Sequence, residues 1–557
     1  MTNRLYYGDN LDVLRDQIAS ESVDLVYLDP PFNSNANYNL LFKSPAGLSA
    51  DSQIEAFEDT WHWNDKAEAA FHDVMTCGNT DVAELLRAMR GFLKENDMMA
   101  YLAMMAVRLI ELHRVLKPTG SLYLHCDPTA SHYLKLLLDG VFGGGFQSEI
   151  IWKRTSAHSS ARRYGPIHDT IFFYTKSESF VWNEQLTPYD STYVDAFFSH
   201  QDADGKRWQR TDLTGPGVRK GDSGLPWRDY NPTEKGRHWQ PPSYFYDRYE
   251  RLTGQSLAER PLIERLEAMD ARGMIHWPAK AGGMPRGKRY LEDAPGIPAQ
   301  DIWTDLRPIH NMAEERLGYP TQKPLALLER IIAASSNEGD VVLDPFCGCG
   351  TAVDAAQKLG RQWIGIDVTH LSIGLIERRM KDRYGDDLAY QVIGTPNDLA
   401  SAEKLASEEP HQFQYWITQA VDGQPYQGGR KGADRGIDGY LYFTGHDRKT
   451  EAAIISVKAG RNVGVAMVRD LKGVIEREKS PIGIFICAVN PTREMEREAA
   501  AAGVYEGADG RTYPRLQIFT LAEYFRGLRP KVPLLDRQAA YKKAARAGDE
   551  GKQGSLL

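Results

Sequence analysis

Over the first 150 residues, short apolar runs of strand length alternate with longer amphipathic segments of helix length. The runs "RLYY", "VDLVYL" and "GSLYLHC" predict strands, and the segments Asp97 to Val115 and Pro128 to Leu138 predict helices. After Trp152 the pattern breaks into short, turn-rich pieces until about Tyr319. Helix and strand patterns then return in "PLALLERIIAASS", "DVVLDPF", "TAVDAAQKL", "QWIGIDV" and "HLSIGLIERRMKDR". This alternation predicts an α/β domain with a parallel sheet, interrupted by an insertion.

A third compositional unit begins near Ala400, after the boundary sequence "GTPNDLASAEK". It has its own predicted strands in "GYLYF", "AAIISVK" and "IGIFICAV". The predicted domains are therefore 1–150 and 320–398 for the split α/β domain, 151–319 for the insert, and 399–540 for the third unit. Residues 541–557, rich in polar and small side chains, are predicted to be disordered.

Length and composition fit this division. A chain of 557 residues with 42% hydrophobic content is too long for one core and apolar enough for several. Its apolar runs are far shorter than a membrane span, and its start lacks the features of a signal peptide, so we expect a soluble, cytoplasmic protein with no membrane partner. Five scattered cysteines indicate reduced thiols, and Cys347 and Cys349 are interpreted as small residues of a tight loop instead of metal ligands.

A net charge of −8 argues against a globally basic nucleic-acid binder but not against a local basic surface. The stretch "RGMIHWPAKAGGMPRGKRY" contains five cations and no acid, and seven of the eleven tryptophans lie between residues 151 and 303. Cations interleaved with aromatics suit phosphate and base contacts, and a loop-rich domain with ordinary core tryptophans is the alternative. The candidate DNA-binding residues are Arg272, Lys280, Arg286, Lys288 and Arg289.

The segment "VDLVYLDPPFNS" ends a predicted buried strand with an acid, two prolines and an aromatic. Neither proline can donate a backbone hydrogen bond, so the strand must stop there. Asp29 and the carbonyl of Pro30 are then two hydrogen-bond acceptors beside an aromatic plane at the carboxyl end of a strand. An unpaired acid before two prolines has no obvious use in folding.

The segment "VVLDPFCGCGTAV" predicts a strand, a glycine-rich turn and the start of a helix. Glycines at 348 and 350 let the backbone approach a ligand, although such a turn alone is a weak signal. The next predicted strand ends in Asp367, where doubly wound folds commonly place an acid that binds a ribose diol. Together these features imply a cofactor that carries adenosine.

Taken together, these motifs resemble the beta class of DNA amino-methyltransferases, which depend on S-adenosylmethionine. The motifs stand in the order expected of that class: "YYGDN", "DPPF", "LKPTGSLYLHCD", "SEIIWKR", "YPTQKP", "DPFCGCGT" and "IGID". The resemblance covers about residues 1–395. It implies a Rossmann-like methyltransferase core that is circularly permuted and carries an inserted target-recognition region.

The resemblance also implies residue roles. Asp29, Pro30, Pro31 and Phe32 would act on the target base, with Phe32 stacking on it after it leaves the duplex. Asp9 would contact the adenine of the cofactor and Asp367 its ribose, while Thr321 and Lys323 would lie near its methionine carboxylate, unless they only form the entry of a helix. The remaining implied cofactor residues are Asp344, Phe346, Gly348, Gly350 and Thr351.

The carboxyl-terminal unit resembles Mrr-type restriction endonucleases, a branch of the PD-(D/E)xK nucleases. The sequences "GADRGIDGYLYF" and "AAIISVKAG" place Asp438 and Lys458 at family positions, with Asp434 as a second candidate acid. Ser456 stands where the family has Glu or Gln, and a serine cannot supply the charge of a carboxylate ligand. The domain is predicted to be α/β, with Mg²⁺ as a cofactor only if it is an active nuclease; a DNA-binding or dimerisation module without cleavage is favoured.

The sequence thus predicts site-specific methylation of double-stranded DNA at an exocyclic amino group. Adenine N6 is favoured over cytosine N4 because cytosine enzymes more often begin the catalytic motif with Ser. The alternatives are a bifunctional methyltransferase and restriction endonuclease, a DNA-binding module without catalysis, and methylation of RNA or protein. A homodimer is possible on the family pattern.

Overall fold

The computed structural model describes side chains at residues 2–31, 62–155, 164–279, 283–294, 296–310, 313, 315–317, 319, 321–426, 436–445 and 449–533. It describes only the backbone of residues 37–43 and 49–58. Two compact units are present, one made of Met1–Asn183 with Gln300–Leu557 and the other of Glu184–Ala299. The predicted tail, 541–557, lies outside the described residues.

The helices and strands are numbered along the chain. Up to Asn183 they are β1 (Asn3–Tyr7), α1 (Asn10–Gln17), β2 (Val23–Leu28), β3 (Asn37–Lys43), β4 (Ser49–Glu58), α2 (Asp65–Thr76), α3 (Thr80–Leu93), α4 (Asp97–Val115), β5 (Leu116–Cys126), α5 (Ser131–Phe142), β6 (Phe146–Lys153) and β7 (His168–Thr175).

The unit Glu184–Ala299 contains β8 (Leu186–Thr187), α6 (Ser191–Phe197), β9 (His200–Gln201), β10 (Arg207–Asp212), β11 (Thr214–Pro216), β12 (Arg237–Trp239), α7 (Ser243–Thr253), α8 (Leu262–Ala271), β13 (Ile275–His276), β14 (Arg286–Tyr290) and β15 (Ile297–Pro298).

From Gln300 onward they are β16 (Ile302–Trp303), α9 (Leu325–Ser335), β17 (Val341–Asp344), α10 (Thr351–Lys358), β18 (Gln362–Asp367), α11 (His370–Tyr384), β19 (Tyr390–Ile393), α12 (Leu399–Glu408), α13 (Pro410–Ala420), β20 (Gln424–Pro425), β21 (Gly439–Thr444), β22 (Thr450–Lys458), α14 (Val465–Arg477), β23 (Gly483–Cys487), α15 (Arg493–Ala500), β24 (Val504–Glu506), β25 (Thr512–Pro514), β26 (Leu516–Thr520) and α16 (Leu521–Phe525).

A nine-stranded sheet forms the centre of the first unit, in the order β16-β6-β7-β5-β2-β17-β18-β1-β19. Strands β5, β2, β17, β18, β1 and β19 run parallel to their neighbours in that row, while β7 is antiparallel to β5 and to β6. The carboxyl ends of β1, β2, β17 and β18 therefore meet at one edge, where ligands bind in open α/β sheets. The predicted α/β class is confirmed. Circular permutation is defined by comparing the order of elements with that of other methyltransferases, and it stays a prediction.

Helices cover both faces of this sheet. Apolar side chains of α1 to α5 pack on one face and those of α9, α10 and α11 on the other, so the strands read as nearly continuous apolar runs because both of their faces are buried. All six residues of β2 are buried. This burial explains why "VDLVYL" carries no clear period-two pattern.

The second unit is narrower than the predicted insert, 151–319. Strands β6 and β7 and the short β16 belong to the large sheet, so the compact unit starts at Glu184 and ends at Ala299. Its four-stranded sheet has the order β13-β14-β10-β9, and its core contains Trp227, Trp239 and Phe245. The tryptophans of this part of the chain are thus mainly core residues, since Trp152, Trp208 and Trp303 are buried as well.

The carboxyl-terminal part has a separate five-stranded sheet, in the order β20-β21-β22-β23-β26. Strands β21 and β22 are antiparallel, while β22, β23 and β26 are parallel. Helices α12, α13 and α16 pack on one face and α14 and α15 on the other. Asp438 lies beside Ser456 and Lys458 because the β21–β22 hairpin brings these positions together.

Candidate functional site

The turn between β17 and α10 can be built only with glycine. Gly348 and Gly350 have φ values of +49° and +75°, which side chains other than glycine rarely adopt. A Cβ on Gly350 would lie 2.7 Å from the side chain of Ile376, and one on Gly348 would lie 3.3 Å from the ring of Tyr319. Gly348 and Tyr319 line the pocket, so a side chain at Gly348 would displace its wall, whereas one at Gly350 would press on Ile376 of α11.

A buried ion pair between α10 and α11 holds the turn between β17 and α10 in place. Arg379 of α11 donates to Asp354 of α10 at 2.8 Å and also to the Cys349 carbonyl oxygen at 3.1 Å and Thr351 Oγ1 at 3.2 Å. Both members of the pair are almost fully buried, and Arg383 pairs with the other oxygen of Asp354 at 3.0 Å, so removing Asp354 would leave two buried guanidinium groups without this partner. The sequence did not indicate this anchor, because Arg379 resembles an ordinary cation in the segment "IERRMKDR".

Asp367 and Asp344, the last residues of β18 and β17, point toward the same turn. Asp367 Oδ2 accepts from the backbone N–H of Gly348 at 3.0 Å, and its Oδ1 accepts from the N–H and the hydroxyl of Thr369, both at 2.9 Å. Asp344 Oδ1 accepts from the N–H of Phe346 at 3.0 Å. Burial raises the pKa of both carboxyl groups, and the charges of Asp29 and Asp367 add to the effect on Asp344.

Asp9 begins α1 and is held by a buried arginine. Its Oδ1 accepts from the N–H of Leu11 at 2.9 Å, as a helix N-cap, and from Nη2 of Arg108 at 2.8 Å. Arg108 also donates to Asn10, whose amide donates to the Pro345 carbonyl at 2.8 Å. The network joins α1, α4 and the turn after β17, and burial lowers the pKa of the Arg108 guanidinium.

Asp29 follows β2 directly and forms an ion pair with Lys323. The Lys323 ammonium donates to Asp29 Oδ2, and the two side chains are only 10% and 16% exposed. Sequence reasoning placed Lys323 near the methionine carboxylate of the cofactor, whereas here it contacts the candidate catalytic acid. Pro30 is buried and Pro31 half-buried, while Phe32 lies outside the described residues.

A buried polar chain lies behind Asp29. The Tyr27 hydroxyl is 3.0 Å from Nδ1 of His125, and Nε2 of His125 is 3.0 Å from Asp169 Oδ2. Burial acts against ionisation of Asp169, but the contact with His125 and the charges of Lys323 and Arg154 hold its pKa below the usual value. An ionised Asp169 can only accept, so Nε2 of His125 carries a proton and donates to Asp169.

These residues surround one pocket of about 340 Å³ at the carboxyl edge of the sheet. Ten predicted site residues line it: Asp9, Asp29, Pro31, Thr321, Lys323, Asp344, Phe346, Gly348, Thr351 and Asp367. Pro30 and Gly350, two further predicted site residues, do not line it. The volume is in the range of small-molecule sites, and the glycine turn with acids at two strand ends fits an adenosine cofactor. Arg108, Tyr27 and Tyr319 line the pocket although the sequence did not single them out.

Two of the five candidate DNA-binding cations have acidic partners. Strand β14 pairs with β10, where Arg286 forms an ion pair with Asp212, and Lys288 contacts Asp202, which follows β9, at 2.9 Å. Arg289 donates to the Tyr189 hydroxyl at 3.3 Å. Arg272 is exposed at the end of α8, and Lys280 lies outside the described residues. The stretch that is free of acids in sequence is therefore partly neutralised in space.

The endonuclease-like site of the carboxyl-terminal domain centres on Asp438. Its Oδ2 accepts from the N–H of Val457 at 2.6 Å and lies 3.8 Å from the Lys458 ammonium, and its Oδ1 accepts from the Gln414 amide of α13 at 2.9 Å. Asp434 lies outside the described residues. Within the described ranges, no group of three His, Cys, Asp or Glu side chains is placed to hold a metal ion. Ser456, beside Asp438, supplies no charge, so the described donors of this site fit Mg²⁺ poorly.

Comparison with known proteins assigns the class. A family model described as DNA methylase matches residues 23–377, and a second, described as restriction endonuclease, matches residues 405–509. The chain belongs to the DNA methylase family and carries an Mrr-type restriction-endonuclease domain. Membership confirms the predicted S-adenosylmethionine-dependent DNA methyltransferase of the restriction-modification type.

Curated relatives agree with this assignment. The type II methyltransferase M.EcaI from Enterobacter cloacae is 29% identical over 382 residues, which is 68% of this chain and 69% of the relative. The type II methyltransferase M1.MboII from Moraxella bovis is 39% identical over 376 residues, 66% of this chain and 92% of the relative. The DNA adenine methyltransferase YhdJ from Escherichia coli (strain K12) is 24% identical over 413 residues, 73% and 93% of the two chains.

Solved structures are more distant. The M1.HpyAVI–SAM complex is 15% identical, with 68% of this chain and 98% of that chain covered, at a TM-score of 0.28. The PvuII DNA methyltransferase (cytosine-N4-specific) is 13% identical, covering 68% and 86%, at a TM-score of 0.29. Neither similarity is high enough to support an argument. In the described part of the chain, no helix is both long and apolar enough to cross a membrane, and the cytoplasmic location stays a prediction.

Proposed function

We propose that this protein methylates the exocyclic amino group of a base flipped out of double-stranded DNA, with adenine N6 as the preferred target. The observation that carries the proposal is the position of Asp29. It lies at the end of β2 and lines the same pocket as the glycine turn and Asp367. A base that reaches Asp29 would therefore meet the cofactor within one cavity.

The chain itself supplies the acceptors that the reaction needs. An exocyclic amine is a poor nucleophile because its lone pair is delocalised into the ring. The Asp29 carboxylate and the Pro30 carbonyl would accept its two hydrogens and draw the nitrogen toward a tetrahedral form, and Phe32 would stack on the flipped base. S-adenosylmethionine, when bound, supplies an electrophilic methyl group on a sulfonium. No nucleophilic Cys or Ser is needed.

The cofactor would be held by residues of the pocket wall. Asp367 would accept from the ribose hydroxyls, because each carboxylate oxygen keeps accepting capacity beyond its present bonds. Asp9 would contact the adenine, and the turn at Gly348 and Gly350, with Asp344, Phe346, Thr321 and Thr351, would enclose the rest. The raised pKa of Asp344 suits a carboxyl group that donates as well as accepts.

Adenine is preferred on two grounds. The catalytic motif begins with Asp, and one full-length relative, YhdJ, is named a DNA adenine methyltransferase. Cytosine N4 is the alternative.

Residues of the second unit are proposed to recognise the target sequence, and a homodimer stays part of the proposal.

For the carboxyl-terminal domain we propose DNA binding without cleavage. Ser456 replaces the expected acidic or amide ligand, and Asp438 accepts from the Gln414 amide and from the N–H of Val457. Lys458 keeps a charge that can contact a phosphate. Metal-dependent cleavage, which would make the protein a bifunctional restriction enzyme, is the competing proposal and is tested below.

The decisive experiment is methylation of plasmid DNA by the wild type and by Asp29→Ala, followed by digestion to nucleosides and mass spectrometry. We expect N6-methyladenine with the wild type and none with the variant, while calorimetry still detects cofactor binding by the variant. Asp16→Ala, at an exposed position of α1 that does not line the pocket, serves as a matched control for loss of one carboxylate. Near-normal turnover by Asp29→Ala would refute the mechanism, and N4-methylcytosine would replace adenine as the target.

A further inference from the structure

Lys323 contacts a different anion from the one that its motif suggests. Its ammonium bonds Asp29, the proposed acceptor for the target amine, and both side chains are nearly buried. The cofactor would bring a second anion, the carboxylate of its methionine moiety, into the same pocket. The buried ammonium of Lys323 would therefore have two carboxylates to bind: that of Asp29 before the cofactor arrives, and that of the cofactor once it is bound.

Other described cations of the pocket wall are poorly placed for this role. Arg108 is bonded to Asp9, Asn10 and the Met104 carbonyl. Lys66, on α2, is exposed and retains its hydration. Lys323 is the described lysine that is both buried and in contact with the catalytic acid.

The ammonium of Lys323 needs anionic partners because it is buried. Besides Asp29, the carboxyl groups of Asp169 and Asp344 lie close enough for the charge of Lys323 to act on their pKa values, and the cofactor would add a further carboxylate. The bond to Asp29 is the one for which a bound cofactor carboxylate would compete. Once released, Asp29 regains the lone pairs that the target amine requires. An ammonium held beside Asp29 would also oppose the positive charge that develops on the attacking nitrogen.

We propose that Lys323 is a positioning residue that exchanges Asp29 for the cofactor carboxylate, so that Asp29 becomes available to the target base when the cofactor is bound. This inference rests on the proposed function, since it assigns an order of events to the same pocket. It makes cofactor binding a condition for productive base binding.

The exchange can be tested by calorimetry without DNA or knowledge of the target sequence. The two ligands are S-adenosylhomocysteine, which has the amino-acid carboxylate, and 5′-methylthioadenosine, which lacks it. The proteins are full-length wild type, Asp29→Asn, Lys323→Met, the double variant and Lys323→Arg, each checked for folding by its melting temperature. Asp29→Asn keeps the shape of the side chain and removes the charge that competes for Lys323.

We expect Asp29→Asn to bind S-adenosylhomocysteine roughly 10- to 150-fold more tightly than the wild type, the range for one charged hydrogen bond no longer broken on binding. Its affinity for 5′-methylthioadenosine should not change. Lys323→Met should lose affinity for S-adenosylhomocysteine alone, the double variant should match Lys323→Met, and Lys323→Arg should retain the discrimination between the two ligands.

Two results would overturn the inference: an unchanged or weaker affinity of Asp29→Asn for S-adenosylhomocysteine, or an equal gain for both ligands. A wild type that binds neither ligand would contradict the proposed function instead. The two failures are therefore distinguishable in one set of titrations.

Discussion

His370, the first residue of α11, is expected to make the stability of the methyltransferase core depend on pH. Its ring is buried and stacks on Tyr7 with centroids 3.7 Å apart, and Nε2 has no hydrogen-bond partner among the described residues. Burial lowers the pKa of His370 from 6.5 to about 3. Below pH 6.5 the His370 ring therefore binds a proton in the unfolded chain, whereas in the folded protein it binds one only near pH 3.

This difference in pKa makes the folded protein less stable as the pH falls. The contribution of neutral His370 is fully present above pH 6.5 and falls as the pH decreases toward 3, by about 1.4 kcal/mol per pH unit. At pH 4.5 the loss amounts to about 2 to 3 kcal/mol. His370→Phe keeps an aromatic ring against Tyr7 and cannot titrate, so the variant should not show this part of the loss.

The assay compares melting temperatures of the wild type and His370→Phe at several pH values between 7.5 and 4.5. All other titrating groups are shared, so they cancel in the difference between the two proteins. As the pH falls, we expect the melting temperature of His370→Phe to rise relative to that of the wild type. The difference should be about 2 to 4 °C for each kcal/mol of stability that the wild type loses. Melting curves that keep a constant separation would refute the burial argument.

The remaining predictions concern binding and cleavage. Asp367→Ala should weaken cofactor binding by about 1.5 to 3 kcal/mol, the value of a charged hydrogen bond, and an unchanged dissociation constant would mean that the ribose lies elsewhere. Arg219→Ala with Lys220→Ala, at exposed positions of the second unit, should flatten the salt dependence of DNA binding by up to about 0.9 per lost phosphate contact. Lys288→Ala is the contrasting case, because it breaks the pair with Asp202 and should lower the melting temperature as well. Unmethylated plasmid should stay uncut in Mg²⁺ or Mn²⁺, and cleavage that is absent in Lys458→Ala would establish the nuclease.

The sequence predicted the parts of the site that are local in the chain. The buried strand that ends at Asp29, the glycine turn and the acid at the end of β18 are each encoded within about ten residues, where apolar patterning and the requirements of glycine and proline are direct signals. Because parallel strands end at one edge of a sheet, their meeting point also followed. These features account for most of the pocket.

The parts that sequence reasoning missed depend on contacts between distant segments. Arg108 belongs to a helix that reads as apolar core, and only the packing of α4 against α1 brings it to Asp9. The motif "LYLHC" was noted, but nothing local shows that His125 would bridge Tyr27 and Asp169 across three strands.

Charge patterning failed for the same reason. The run from Arg272 to Tyr290 contains no acid, yet the sheet formed by β9, β10 and β14 brings Asp202 and Asp212 to it from about 80 residues earlier. The tryptophans of this region likewise fill a core whose existence depends on the tertiary fold. A count of charges along a chain does not reveal which of them are compensated.

The position of β1 in the large sheet has a consequence for how the protein is made. Among the described strands, its partners are β18 and β19, which follow it by more than 350 residues, so neither partner exists while the intervening chain leaves the ribosome. The candidate pocket, which is lined by Asp9 after β1 and by Asp367 at the end of β18, can close only late in synthesis. An amino-terminal fragment should therefore be unable to hold the cofactor, whereas two separately expressed pieces, divided within the second unit, should reassemble through this strand.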